Sequence, residues 1–176
     1  MRNKHILVPL DLVRGPASAL VFVQQMAAET PVSVTLLHVV NLNIFPAQPA
    51  VNEQLCAESQ AALRKLAKLF FGAEQATRII VRAGQPASEI VAEAKAAGAD
   101  MIVMCGPKPR RMRFLRRGTT QRVLSSASCP TLVLPHPGKP GKRETVRAGW
   151  SVAEEACFFW RKSGPGGGGM TVNNLG

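Results

Sequence analysis

No stretch of this 176-residue chain approaches the roughly 18 uninterrupted apolar residues that a membrane-spanning helix needs. The N-terminal segment MRNKHILVPLD holds an apolar run of only five residues before Asp11, too short for a secretory signal. The expectation is a cytoplasmic protein with no membrane attachment. The four cysteines (Cys56, Cys105, Cys129 and Cys157) form no CxxC pair, and in a reducing compartment they serve mainly as packing residues. No short repeat is sustained, which excludes collagen-like and coiled-coil chains. Acidic residues are scarce, 11 against 22 Lys+Arg, for a formal net charge of +11.

What is present is ordinary globular material: 46% hydrophobic and 19% charged residues. The length suits one domain with a tail. About 135 residues suffice to bury a core without disulfides or metals.

The positive charge is local. Residues 1–135 carry sixteen bases against eight acids, and seven of those bases lie between Met104 and Leu124, a stretch with no acid. The remainder of that span is close to neutral. A protein that coats nucleic acid more often spreads its charge over a whole face or tail.

Apolar runs alternate with helical patterns along the chain. HILVPL (5–10) stops at Asp11, as a buried parallel strand does. After Pro16, ASALVFVQQMAAE places Leu20, Val23, Met26 and Ala27 on one helical stripe, and Thr30-Pro31 ends it. VSVTLLHVV (32–40) is a second strand, followed by a Pro/Asn connection over 41–51. Asn52 to Phe71 reads as an amphipathic helix with Leu55, Ser59, Ala62, Leu63, Leu66 and Leu69-Phe70 at helical spacing, closed by Gly72. TRIIVRAG (77–84) is a third strand. PASEIVAEAKAAG (86–98) opens on proline and ends on glycine, the polarity of a helix, with Ile90, Val91, Ala94 and Ala97 as its stripe. ADMIVMCG (99–106) is a fourth strand, Thr119 to Ala127 a fourth helix, and TLVLP (131–135) a fifth strand. Near-continuous apolar strands separated by helices require a parallel sheet covered on both faces, with right-handed crossovers.

Beyond Pro135 the composition turns to Pro, Gly and basic residues, so the domain is expected to span 1–135 and a flexible tail 136–176. Within the tail, 151–161 is a candidate short helix. Ser151 and Glu154 have capping-box spacing, and Trp150, Ala153, Cys157 and Trp160 share a helical face.

The segments KHILVPLD, LLHVV, RAGQPASEIVAEAKAAGADMIVM and QRVLSSASCPTLVLP, in that order, resemble the universal stress protein family over about three quarters of the chain. The resemblance implies a flavodoxin-like three-layer α/β sandwich, related to the adenine nucleotide alpha-hydrolases. Its five-stranded parallel sheet would have the order 3-2-1-4-5. It also implies a stress-response regulatory module rather than a strong enzyme, at most a slow ATPase. The family usually forms homodimers, here through the fifth-strand edge, Thr131 to Leu134. Some members bind ATP or AMP, with Mg2+, and others do not.

Carried onto this chain, the resemblance places the nucleotide where strand order reverses, beyond the carboxyl ends of the first and fourth strands. Pro9, Leu10 and Asp11 end the first strand, Val39 lies in the second, and Met104 and Gly106 close the fourth. Lys108, Arg110 and Arg111 would face phosphate together with Gly118, Thr119 and Thr120, which open the following helix. The family's phosphate loop reads Gly, two residues, Gly, nine residues, then Gly before Ser or Thr. This chain keeps Gly106 and Gly118-Thr119, but Pro109 stands at the second glycine and only eight residues follow it. If ADMIVM sets the register instead, Cys105 and Lys108 take the first two glycine positions. The family's Ser two residues after the strand-end Asp is Val13. Pro107 and Pro109 remove backbone donors, while six bases between Lys108 and Arg117 offer guanidinium forks in exchange.

Three readings of that segment remain: a phosphate-binding loop, a solvated surface loop, and a nucleic-acid contact. The last has least support, because Phe114 is the only aromatic residue beside the bases. Asp11 either contacts a ribose or adenine edge or caps a turn. His5 and His38 have no ligand-spaced neighbours, so no metal site is expected, and His38 reads as a satisfied structural histidine. Cys105 lies near Arg110 and Arg111 in sequence, although packing is its simpler role. Ser125, Ser126 and Ser128 flank no histidine or acid and build no catalytic triad.

Overall fold

The structure, a computed structural model, describes residues 3–12, 17–41, 49–72, 77–106 and 118–135. Five strands, β1 (Lys4–Pro9), β2 (Val32–Asn41), β3 (Thr77–Gly84), β4 (Met101–Cys105) and β5 (Thr131–Leu134), form one sheet. Four helices connect them in sequence: α1 (Ala17–Glu29), α2 (Pro49–Phe71), α3 (Pro86–Ala96) and α4 (Thr119–Ser126). All strand pairs are parallel, as the apolar runs implied, and the spatial order is β3-β2-β1-β4-β5, as the family resemblance implied.

The two faces of the sheet have separate cores, because successive side chains of a strand alternate between faces. Ile6, Val8, Val34, Leu36 and Val103 pack under α1 and α2 with Leu20, Val23, Leu63 and Phe70. Leu7, Leu37, Ile102 and Met104 pack under α3 and α4 with Ile90, Ala94 and Val123. The central strands β1 and β4 are therefore apolar on both sides, which is why they read as unbroken hydrophobic runs. No helix among the described residues is long and apolar enough to cross a membrane.

Four local differences from the sequence reading have simple causes. Helix α2 begins at Pro49, inside the expected connection, because proline is pre-set for a first helical turn and lacks only an N–H that would be unpaired there. In its stripe Phe70 is buried but the adjacent Leu69 is 53% exposed, since neighbours on a helix diverge by about 100°. Strand β4 starts at Met101 rather than Ala99. Gly98, at φ 60°, closes α3 in a Schellman turn: Ala99 N–H donates to Ala94 O (2.9 Å) and Gly98 N–H to Lys95 O (3.2 Å). The fourth difference is Glu93, a buried acid on α3 outside the expected apolar stripe.

Glu93 is 2% exposed and accepts a 2.5 Å hydrogen bond from Arg82 of β3, whose side chain is half exposed. The hydrogen bond and charge of Glu93 hold the Arg82 guanidinium above its ordinary pKa, against a small desolvation, and Glu89 adds to the effect. Burial does the same for the Cys129 thiol, reinforced by the charge of Asp100, so its proton is held more tightly than in a free cysteine. The basic segment 107–117, the tail, its candidate helix 151–161 and Cys157 lie outside the described residues.

A buried carboxylate with one cation is most vulnerable when the cation is removed. Arg82→Ala should lower Tm by several degrees in a thermal melt. Adding Glu93→Leu to that variant should recover most of the loss, since the unpaired charge then disappears.

Candidate functional site

Parallel strands bring all their carboxyl ends to one edge, and each following helix starts there. Strand order reverses between β1 and β4, so α1 leaves on one face and α4 on the other, with a crevice between them. Nine of the twelve residues assigned to the site by resemblance are described, and all nine belong to this edge. Lys108, Arg110 and Arg111 lie outside the described residues.

Alternation separates the nine into a floor and a rim. Val39 and Met104 belong to the core beneath α3 and α4, and Pro9, two residues after Leu7, falls on the same face. Leu10 is buried against the opposite face with α1 and α2. Asp11 is exposed where β1 ends. The rim continues through Gly106 to Gly118, Thr119 and Thr120 at the start of α4.

Backbone contacts fix this edge. Leu10 N–H donates to Leu37 O (2.8 Å), and His38 Nδ1 donates to Leu10 O (2.8 Å). His38 therefore holds the peptide just before Asp11, the satisfied structural role read for it from sequence. Its link to the candidate site had no spacing signal, because the two residues lie in different strands. Gly106 N–H donates to Leu134 O (2.7 Å). A Cβ on Gly106 would sit 3.2 Å from Val133 Cγ1 and 3.4 Å from Leu134 O, so glycine is what lets the β4 end lie against β5.

Helix α4 supplies a donor set. Gly118 is its N-cap in extended geometry (φ −67°, ψ 169°), provides no capping side chain, and no acid occupies the first turn. The first N–H groups of a helix have no intrahelical acceptor, and the helix dipole adds partial positive charge. This terminus is suited to an anion, while the floor of Pro9, Val39 and Met104 is suited to a flat apolar group.

The opposite, amino edge is built as a clasp. His5 Nδ1 donates to Ala97 O (3.0 Å), His5 Nε2 bonds Thr35 Oγ1 (2.8 Å), and His5 N–H donates to Asp100 Oδ2 (2.8 Å). A shallow concavity of about 380 Å³ lies there, lined by His5, Ser33, Val34, Thr35, Thr77 and Arg78. The carboxyl edge is the better candidate, since helix N-termini converge only there. Among the described residues no three His, Cys, Asp or Glu side chains are grouped to hold a metal ion.

The profile of the Universal stress protein family matches residues 2–135. Universal stress protein MJ0531 of Methanocaldococcus jannaschii is 32% identical over 145 residues, 77% of this chain and 84% of its own length. Among solved structures, the protein MJ0577 superposes with a TM-score of 0.64 at 22% identity, covering 79% of this chain and all of that one. Universal stress protein UspA from Lactobacillus plantarum gives 0.59 at 23% identity, covering 76% and 99%. A universal stress protein solved in complex with cAMP gives 0.57 at 16% identity, covering 78% and 100%.

The two rim glycines should respond differently to substitution. Gly106→Val should lower Tm by several degrees, because the added side chain meets Val133 and the Leu134 carbonyl. Gly118→Ala should leave Tm nearly unchanged, because its Cβ meets nothing within 4 Å and φ is negative.

Proposed function

This chain belongs to the universal stress protein family, and from that premise we propose that it is a cytoplasmic stress-response regulatory module that binds an adenine nucleotide at the carboxyl edge of its sheet. One observation carries this reading. The uncapped, acid-free N-terminus of α4 stands at the strand-order switch beside an apolar floor, a pairing that suits phosphate and base together. The cAMP complex of a structural relative supports the same ligand class.

In this reading the base lies over Pro9, Val39 and Met104, and Asp11 with the Gly106 backbone borders the ribose. Phosphate meets Gly118, Thr119 and Thr120 together with Lys108, Arg110 and Arg111. The prolines at 107 and 109 withhold two backbone donors, and arginine forks replace them with side-chain donors. ATP or AMP is the ligand, with Mg2+ accompanying ATP. The molecule acts as a binding switch and not as a strong enzyme: Asp11 is the one carboxylate the reading places there. The domain ends near residue 135, before the basic tail.

Calorimetric titration with ATP and AMP tests the reading. The wild type should release heat with both nucleotides, and Arg110→Ala/Arg111→Ala should weaken binding about tenfold or more. Phosphate release from Mg-ATP should stay at background. No heat at millimolar nucleotide would overturn the reading and leave a dimeric stress protein that binds no nucleotide.

The assembly part of the proposal is a homodimer through the β5 edge, which would cover a half-buried apolar strand. Ile102 N–H donates to Pro130 O and Gly106 N–H to Leu134 O, so even-numbered backbone groups of β5 face β4 and those of Thr131 and Val133 face outward. Val133→Pro removes an outward donor without touching the β4 ladder. Light scattering should give twice the chain mass for the wild type and one chain mass for Val133→Pro. A monomeric wild type would refute the dimer.

A further inference from the structure

Strand β1 ends at Pro9, yet the residue beyond it stays tied to β2 at both of its backbone polar groups. Leu10 N–H donates to Leu37 O (2.8 Å), and Leu10 O accepts from His38 Nδ1 (2.8 Å). A carbonyl only accepts, so the neutral His38 ring carries its proton on Nδ1 here. The N–H bond alone would leave the carbonyl free to swing about the Leu10 Cα. The ring removes that freedom. Because the peptide unit is planar, fixing the Leu10 oxygen also fixes the Asp11 nitrogen, and with it the direction in which Asp11 leaves the strand. Leu10 and Leu12 are each 5% exposed in the core under α1 and α2, and Asp11 between them is exposed. His38 follows Leu36 by two residues and so falls on that same face, opposite the floor of Val39 and Met104. Its ring therefore reaches the candidate site through the Leu10 peptide and not by touching a base above that floor.

We propose that His38 is a positioning residue: by gripping the Leu10 carbonyl, its Nδ1–H orients the peptide from which Asp11 projects and so sets the affinity of the carboxyl edge for an adenine nucleotide. The tether is a property of the fold; only its effect on affinity rests on the nucleotide reading above. A ligand that meets Asp11 on an untethered peptide must order that peptide itself, and the lost freedom weakens binding. With the ring in place the ordering is complete before the ligand arrives.

Placement of the donor makes this testable. An Asn side-chain N–H occupies the place of the His Nδ1–H, whereas Gln carries its amide further out, near the Nε2 position, and Leu donates nothing. In calorimetry with ATP, well below the melting range, His38→Asn should bind within about twofold of the wild type, and His38→Gln and His38→Leu about fivefold more weakly. A role confined to stability would lower Tm and leave these affinities alike. In the wild type, nitrogen NMR should show the neutral His38 ring protonated on Nδ1. The Leu10 amide, compared with that of Leu36 in mid-strand, should exchange with deuterium about fivefold faster in His38→Leu than in the wild type. A neutral ring protonated on Nε2, or unchanged Leu10 exchange, overturns the tether. Equal affinities in wild type and His38→Leu, or an Asn variant as weak as the Leu variant, overturn the positioning role. If the wild type takes up no nucleotide at all, the binding reading and the effect on affinity fall together, while the ring tautomer and the Leu10 exchange still decide the tether.

Discussion

A central strand in a parallel sheet must satisfy donors and acceptors along both of its edges, and β1 does this unequally. Six pairs join it to β2 and two join it to β4. Everything that gives the molecule a functional edge follows from that strand. Crossovers reverse direction at β1, which sends α1 and α2 to one face and α3 and α4 to the other. The reversal leaves a crevice between β1 and β4 that no helix among the described residues spans, with the start of α4 beside it.

The fold was largely legible in the sequence because the parallel sheet writes itself in composition. HILVPL and MIVM are buried on both faces and contain almost no polar residue, while the helices between them show helical spacing with proline before and glycine after. Edges and pairings were less legible. Glu93 fell outside the apolar stripe expected for its helix, because its partner Arg82 sits in a different element and periodicity says nothing about which cation lies opposite an acid. Leu69 looked like core because a stripe counted at three and four also admits the neighbour of a true core position. The start of α2 was hidden by prolines that read equally as loop or as first turn. Of the candidate site, the described positions that the family resemblance supplied belong to one edge, but the contact of His38 with Leu10 had no signature at all.

Three prolines share one chemical effect. Pro9, Pro107 and Pro109 each delete a backbone N–H, the group through which parallel sheets and phosphate loops both work. In the proposed nucleotide reading, the six bases between Lys108 and Arg117 would restore donors as side chains. Recognition by arginine forks is longer-ranged and more sensitive to salt than recognition by a glycine cradle. The basic excess of the chain is thus concentrated where backbone donors have been given up.

The clasp at the amino edge has a mechanical meaning. His5, bonded to Ala97 and Thr35 and facing Asp100, ties β1 to β2 and to the turn that leads into β4. With β1 and β4 anchored together at this end, leverage grows with distance from the clasp. Over the five residues of β4, about 16 Å at roughly 3.3 Å per residue, a pivot of about 10° at the clasp moves the far tip by about 3 Å. That is close to the thickness of one aromatic ring.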